Sequence, residues 1–191
     1  MRSLLKLVLR RRASVVFNTQ ENNISFFSSL NVDKVVANLK TDGVYLGINL
    51  PSEIMDEIQT YTSNSLLYGD QNEEMGFSFS EKTKAEKKVG MQFAIARYFN
   101  TTLNCPAIKS LTEDPILWDI ATRYLGFKPV FTGVNMWWSF ANEDILENQR
   151  SNYAQLYHHD VDDYAFLKFF FYLTDVDKLD GPHVCVKGSH N

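Results

Sequence analysis

A chain of 191 residues with 45% hydrophobic and 14% aromatic content can bury one domain-sized core, which excludes an intrinsically disordered chain. The net charge of −4 is uneven: residues 1–20 carry Arg2, Lys6, Arg10, Arg11, Arg12 and no acid, leaving 14 of the 19 basic groups against all 23 acids in the rest. An acidic body excludes a nucleic-acid partner, and no apolar run approaches the ~20 residues of a membrane span.

Met1–Arg12 is basic and apolar. It reads as a terminal helix or tail, or as a mitochondrial transit segment, since it is Arg-rich, contains Ser and lacks acids. The expected compartment is therefore cytoplasmic, with mitochondrial as the alternative. Residues 18–29 are polar and read as a loop. Val32, Val35, Val36 and Leu39 follow the spacing of an amphipathic helix, which Asp42-Gly43 ends. Val44–Ile48 reads as a strand. Pro51-Ser52 opens a second helix with Ile54, Ile58 and Tyr61 on one face, and Glu53, Asp56 and Glu57 favour its positive end.

Residues 63–90 are irregular and end in a charged run that reads as a solvated face. Met91–Phe99 is apolar and fits a strand or a short helix. Asp114-Pro115 is a helix start, with Leu117, Ile120, Ala121 and Tyr124 as its stripe and Gly126 as its stop. Lys128–Phe140 is β-branched and aromatic and reads as a long buried strand. Residues 141–155 are polar and loop-like. Helices precede strands without βαβ alternation, so the expected class is α+β. The cysteines, Cys105 and Cys185, are expected to be reduced and largely buried.

All four histidines lie in Leu156–Asn191, at 158, 159, 183 and 190. Leu156–Asp160, Phe166–Thr174 and His183–Lys187 read as strands joined by turns. On a strand, His158 and Asp160 point one way and His159 the other. One imidazole and one carboxylate on one face are two of the three ligands of a 2-His-1-carboxylate iron site. Taken alone, that spacing on a strand is more often an ordinary polar pair. No Ser-His-Asp elbow, Gly-rich phosphate loop or HExxH motif is present.

Three segments resemble the phytanoyl-CoA dioxygenase family of iron(II)/2-oxoglutarate-dependent oxygenases. They are DGVYLGINLPSEIMDEI at 42–58, the helix-then-strand segment 113–140, and HHDVDD followed by FLKFFFYLTDVDKLDGPHVCVKGSH. The resemblance covers 32–191 and leaves 1–31 as a basic extension and loop. It implies N-terminal helices packed on a double-stranded β-helix (jelly-roll or cupin-like), incomplete at the C-terminus. It further implies iron ligands His158 and Asp160, 2-oxoglutarate as co-substrate beside Met136 and Phe170, molecular oxygen, and a small-molecule substrate to be hydroxylated. Lys168 is a candidate anchor for the far carboxylate of 2-oxoglutarate, the alternative being a lysine on the outer face. Trp137, Trp138 and Tyr153 are candidates for an apolar pocket or for core.

Members of the family take their third iron ligand from a histidine on a strand later than the Gly-Ser-His turn, and an arginine follows it. His190 matches the turn histidine. The resemblance therefore implies a fragment of an active oxygenase, with weak iron binding and little turnover in these 191 residues. The alternative is a degenerate, inactive jelly-roll module that binds without turnover.

Overall fold

A computed structural model describes residues 2–10, 24–69, 74–140, 156–160 and 163–190. Its elements are β1 (Arg2–Arg10), α1 (Val32–Asp42), α2 (Ser52–Asn64), β2 (Leu67–Gly69), β3 (Gly76–Phe77), α3 (Lys82–Val89), β4 (Ile95–Tyr98), α4 (Thr101–Asn104), α5 (Pro106–Thr112), α6 (Pro115–Leu125), β5 (Val130–Ser139) and β6 (Phe166–Tyr172).

Helices α1 and α6 form where caps and apolar stripes agree. Asn31 Oδ1 accepts from Lys34 N at the start of α1, and Gly43, at φ 74°, ends it by donating to Leu39 O. Asp114 is 2% exposed and is the most heavily used cap. Its carboxylate accepts from Ile116 N and Leu117 N at the start of α6. It also accepts from Ser25 Oγ and Phe26 N, which ties the segment before α1 to the helix. The following Phe27 stacks on Phe171 of β6 with ring centroids 6.1 Å apart.

The strands β3-β2-β4-β5 form an antiparallel run, which β1 extends to β6. The amino-terminal segment is thus a strand inside the sheet, not a helix or tail. Leu5, Leu7 and Leu9 are in register with Phe171, Phe169 and Leu167 on one side of β1. On the other side the register shifts between Val8, opposite Gly133, and Leu9, opposite Phe131, which leaves Thr132 as the extra residue of a bulge. Gly133, at φ 150°, supplies the backbone freedom that the bulge needs.

The two faces of the sheet differ. Ala96, Tyr98, Met136, Phe169 and Phe171 are buried on one face with Leu39, Ile58, Ile108, Leu117 and Ile120 of the helices. Burying each large aliphatic side chain there stabilises by roughly 1.5–3 kcal/mol. The opposite face carries Arg97, Asn135, Trp137, Lys168 and Phe170, which are partly buried or exposed. Helices on one face of an antiparallel sheet make this an α+β fold, as the sequence order implies.

Three segments expected to be strands are not. Residues 44–48 form no ladder among the described residues; Gly47 has φ 110° and Leu46 is on the surface. Residues 156–160 and 183–187 form no ladder among the described residues. Local β-propensity makes an extended chain, and a strand also needs a neighbour to receive its hydrogen bonds. The last of these segments is instead tethered at single points. Tyr172 Oη accepts from His183 N at 2.7 Å, Asp42 O from Gly188 N at 2.8 Å, and Lys187 Nζ pairs with Asp42 Oδ2 at 2.8 Å. Residues 63–90, read as irregular, contain the short strands β2 and β3 and the charged helix α3.

Candidate metal-binding site

The residues leading into β6 bring His158 and Asp160 together on the sheet face away from the helices. His158 Nδ1 lies 2.8 Å from Leu156 O. A carbonyl can only accept, so Nδ1 carries the proton and Nε2 is left to face Asp160 Oδ1 at 3.2 Å. Two acceptors at that separation repel unless a proton or a cation lies between them. Two cis ligands of an octahedral ion, with bonds of about 2.1 Å, stand roughly 3.0 Å apart. The pair therefore fits two adjacent corners of a metal site. A backbone acceptor on the far ring nitrogen is the usual way a ligating histidine is held in its tautomer.

The third participant is Lys168. Its ammonium pairs with Asp160 Oδ2 and lies over the Phe166 ring, 4.9 Å from the centroid. The Lys168 side chain is 6% exposed, against 50% for His158 and 38% for Asp160. A lysine with its head on the outer face would be solvated; this one is committed to a carboxylate within the chain. Phe170, two residues on and on the same face, packs against the His183 ring with centroids 4.5 Å apart.

Met136 does not join this group. In register it lies opposite Leu5, and Leu5 lies opposite Phe171. Cross-strand partners share a face, so Met136 is on the helix-covered side and Phe170 on the other. Met136 is 1% exposed, within the hydrophobic core. Trp138 is on the core side as well, its Nε1 donating to Tyr98 Oη at 3.1 Å beside Phe79. Trp137 has the opposite parity. The expected loop 141–155, with Tyr153, lies outside the described residues.

Neither His159 nor His190 joins the pair, so the group keeps one imidazole and one carboxylate among the described residues. His159 is exposed. His190 lies in a turn against Gly43 at the end of α1, where a Cβ added to Gly43 would come within 2.4 Å of its Nδ1. Among the described residues, no three His, Cys, Asp or Glu side chains come close enough to hold one metal ion. Cys185 is exposed, contrary to expectation. Cys105 is buried, which pushes its thiol pKa up.

Arg97 is the group that the sequence reading passed over. It lies opposite Trp137 and so on the same face as Asn135 and Phe170. Its Nε is buried and has no hydrogen-bond partner among the described residues. The signal was a single cation within Ile95–Tyr98, a strand otherwise apolar. Such an orphaned donor points to a ligand or a water.

No family model, curated protein or solved structure matches the chain. Among the described residues no helix is long and apolar enough to cross a membrane.

Proposed function

We propose that His158 and Asp160 are two ligands of an iron(II) site and that the chain is part of a 2-oxoglutarate-dependent dioxygenase acting on a small molecule. The observation that carries this reading is the pair itself: Nε2 and Oδ1 face one another at 3.2 Å with Nδ1 committed to a backbone carbonyl. The resemblance of 42–58, 113–140 and 158–190 to the phytanoyl-CoA dioxygenases supports it, and so would a double-stranded β-helix built on the sheet's site-bearing face. Iron bound there supplies oxidation of a substrate C–H bond by molecular oxygen, coupled to decarboxylation of 2-oxoglutarate.

The chain's own residues have three tasks. His158 and Asp160 bind the ion. Phe170, on the sheet face that carries Lys168 and with its ring packed on that of His183, would offer an apolar wall to 2-oxoglutarate. A basic group must receive the far carboxylate of 2-oxoglutarate. Lys168 is engaged by Asp160, so Arg97, with its orphaned Nε on the same face, is the better candidate for a charge-assisted bond to a carboxylate.

A second reading, a binding module without turnover, is favoured by one observation: the Lys168 ammonium already neutralises Asp160. Anaerobic equilibrium dialysis of iron(II), with and without 2-oxoglutarate, separates the two. The oxygenase reading predicts iron binding that 2-oxoglutarate strengthens and that His158→Ala and Asp160→Ala abolish. Iron binding indifferent to 2-oxoglutarate selects the binding module. Binding unchanged by both substitutions overturns the site.

A further inference from the structure

The carboxylate of Asp160 is held at both oxygens by different partners. Oδ1 faces His158 Nε2 at 3.2 Å, and Oδ2 receives the Lys168 ammonium. Lys168 belongs to β6, a strand laddered to β1 along Arg10–Leu4, whereas Asp160 belongs to a segment with no ladder among the described residues. The rigid partner is therefore the lysine. Its side chain is 6% exposed and packed over Phe166, so the ammonium has given up most of its water and is fixed by the carboxylate it meets.

Resting on the metal-site reading above, we propose that Lys168 is a positioning residue. It clamps Asp160 Oδ2 and thereby presents Oδ1 alone to the ion, as a monodentate ligand set at the correct angle to His158 Nε2. The clamp sets denticity as well as direction. With Oδ2 engaged, the carboxylate cannot close over the ion through both oxygens, as large oxygen-seeking cations such as calcium prefer. The site is thereby biased toward small octahedral dications. Groups that hold a metal-bound carboxylate or imidazole from behind contribute roughly 10–100-fold in metal affinity.

The test is a cobalt(II) titration of the full chain, read by visible absorption, for wild type, Lys168→Met, Lys168→Arg and His158→Ala. The clamp predicts about 10–100-fold weaker binding in Lys168→Met. It also predicts a changed d–d band as Asp160 becomes bidentate, and partial recovery of both in Lys168→Arg, which keeps a charged donor. Lys168→Met that binds at wild-type strength or more tightly overturns it and makes Lys168 a competitor of the metal. If His158→Ala leaves binding intact, the metal site itself fails, a result distinct from failure of the clamp. Nitrogen-15 NMR of the wild-type lysine ammonium groups with zinc(II) is independent of any variant's folding. The clamp predicts that the Lys168 ammonium protons stay slow to exchange when zinc is bound. Exchange as fast as that of surface lysines in the zinc complex contradicts it.

Discussion

Asp114 and Gly43 fix the ends of two helices and also connect distant parts of the chain. Asp114 accepts from four donors, Ile116 N, Leu117 N, Ser25 Oγ and Phe26 N, at 2% exposure. Asp114→Ala removes both a helix cap and the tether of residues 25–27, so it should cost about 2–4 kcal/mol in urea unfolding. Gly43→Ala meets two separable penalties: a left-handed φ of 74° and the His190 ring. A loss of about 1–2 kcal/mol is expected from the backbone alone. Adding His190→Ala should return only the part due to the clash, which a double-mutant cycle reads directly. The two cysteines differ in the same way. Exposed Cys185 should react with a thiol reagent in the folded protein at neutral pH. Cys105, buried and with its pKa raised, should react only on unfolding. The residue-level signals legible in sequence were those with local causes: Asp114-Pro115, Asp42-Gly43 and the His-x-Asp spacing. Arg97 was not legible, because what distinguishes it is a missing partner in three dimensions.

At the level of elements, the helices were readable and the strands less so. The stripes of α1 and α6 coincide with caps that lie within a few residues, and that of α2 follows directly on Pro51, so the needed information is local. A strand is defined by a neighbour that can be more than a hundred residues away. Hence 44–48, 156–160 and 183–187 have strand composition without a ladder, while the basic segment Arg2–Arg10 is a strand with ladders on both sides. Alternation also explains the placement of Met136. The resemblance put it with Phe170, but their strands meet only through β1, and the register sends them to opposite faces. The role of β1 is testable by hydrogen exchange. Deleting residues 1–12 should raise exchange in β6 and along β5, while α1, α2 and α5 stay protected. Unchanged protection in β6 would show that β1 is not what joins it to the sheet.

For the molecule as a whole, the α+β class and the helices-before-strands order were legible from patterning, and the division of labour between the faces was not. One face of the sheet, with Met136, Phe169 and Phe171, is core against the helices. The other carries the His158–Asp160–Lys168 group and Arg97. This arrangement places the chemistry away from the hydrophobic core, so a substitution at half-exposed His158 should leave stability almost unchanged while altering binding. The sharpest test of co-substrate binding is Arg97→Met. It should weaken the effect of 2-oxoglutarate on iron binding by roughly ten- to a hundredfold, the worth of a charge-assisted carboxylate contact. Iron affinity without 2-oxoglutarate should be unaltered. An equal effect of 2-oxoglutarate in Arg97→Met and wild type would assign the carboxylate to another group.

The central claim is that His158 binds a divalent metal through Nε2 while Nδ1–H is held by the Leu156 carbonyl. Proton NMR of the cobalt(II)-loaded chain tests it most directly, since an imidazole N–H on a paramagnetic ion is shifted far outside the diamagnetic range and vanishes in deuterium oxide. The account predicts such an exchangeable resonance, lost in His158→Gln and in Asp160→Ala. A cobalt-loaded spectrum without it, or one that survives His158→Gln unchanged, would contradict the account.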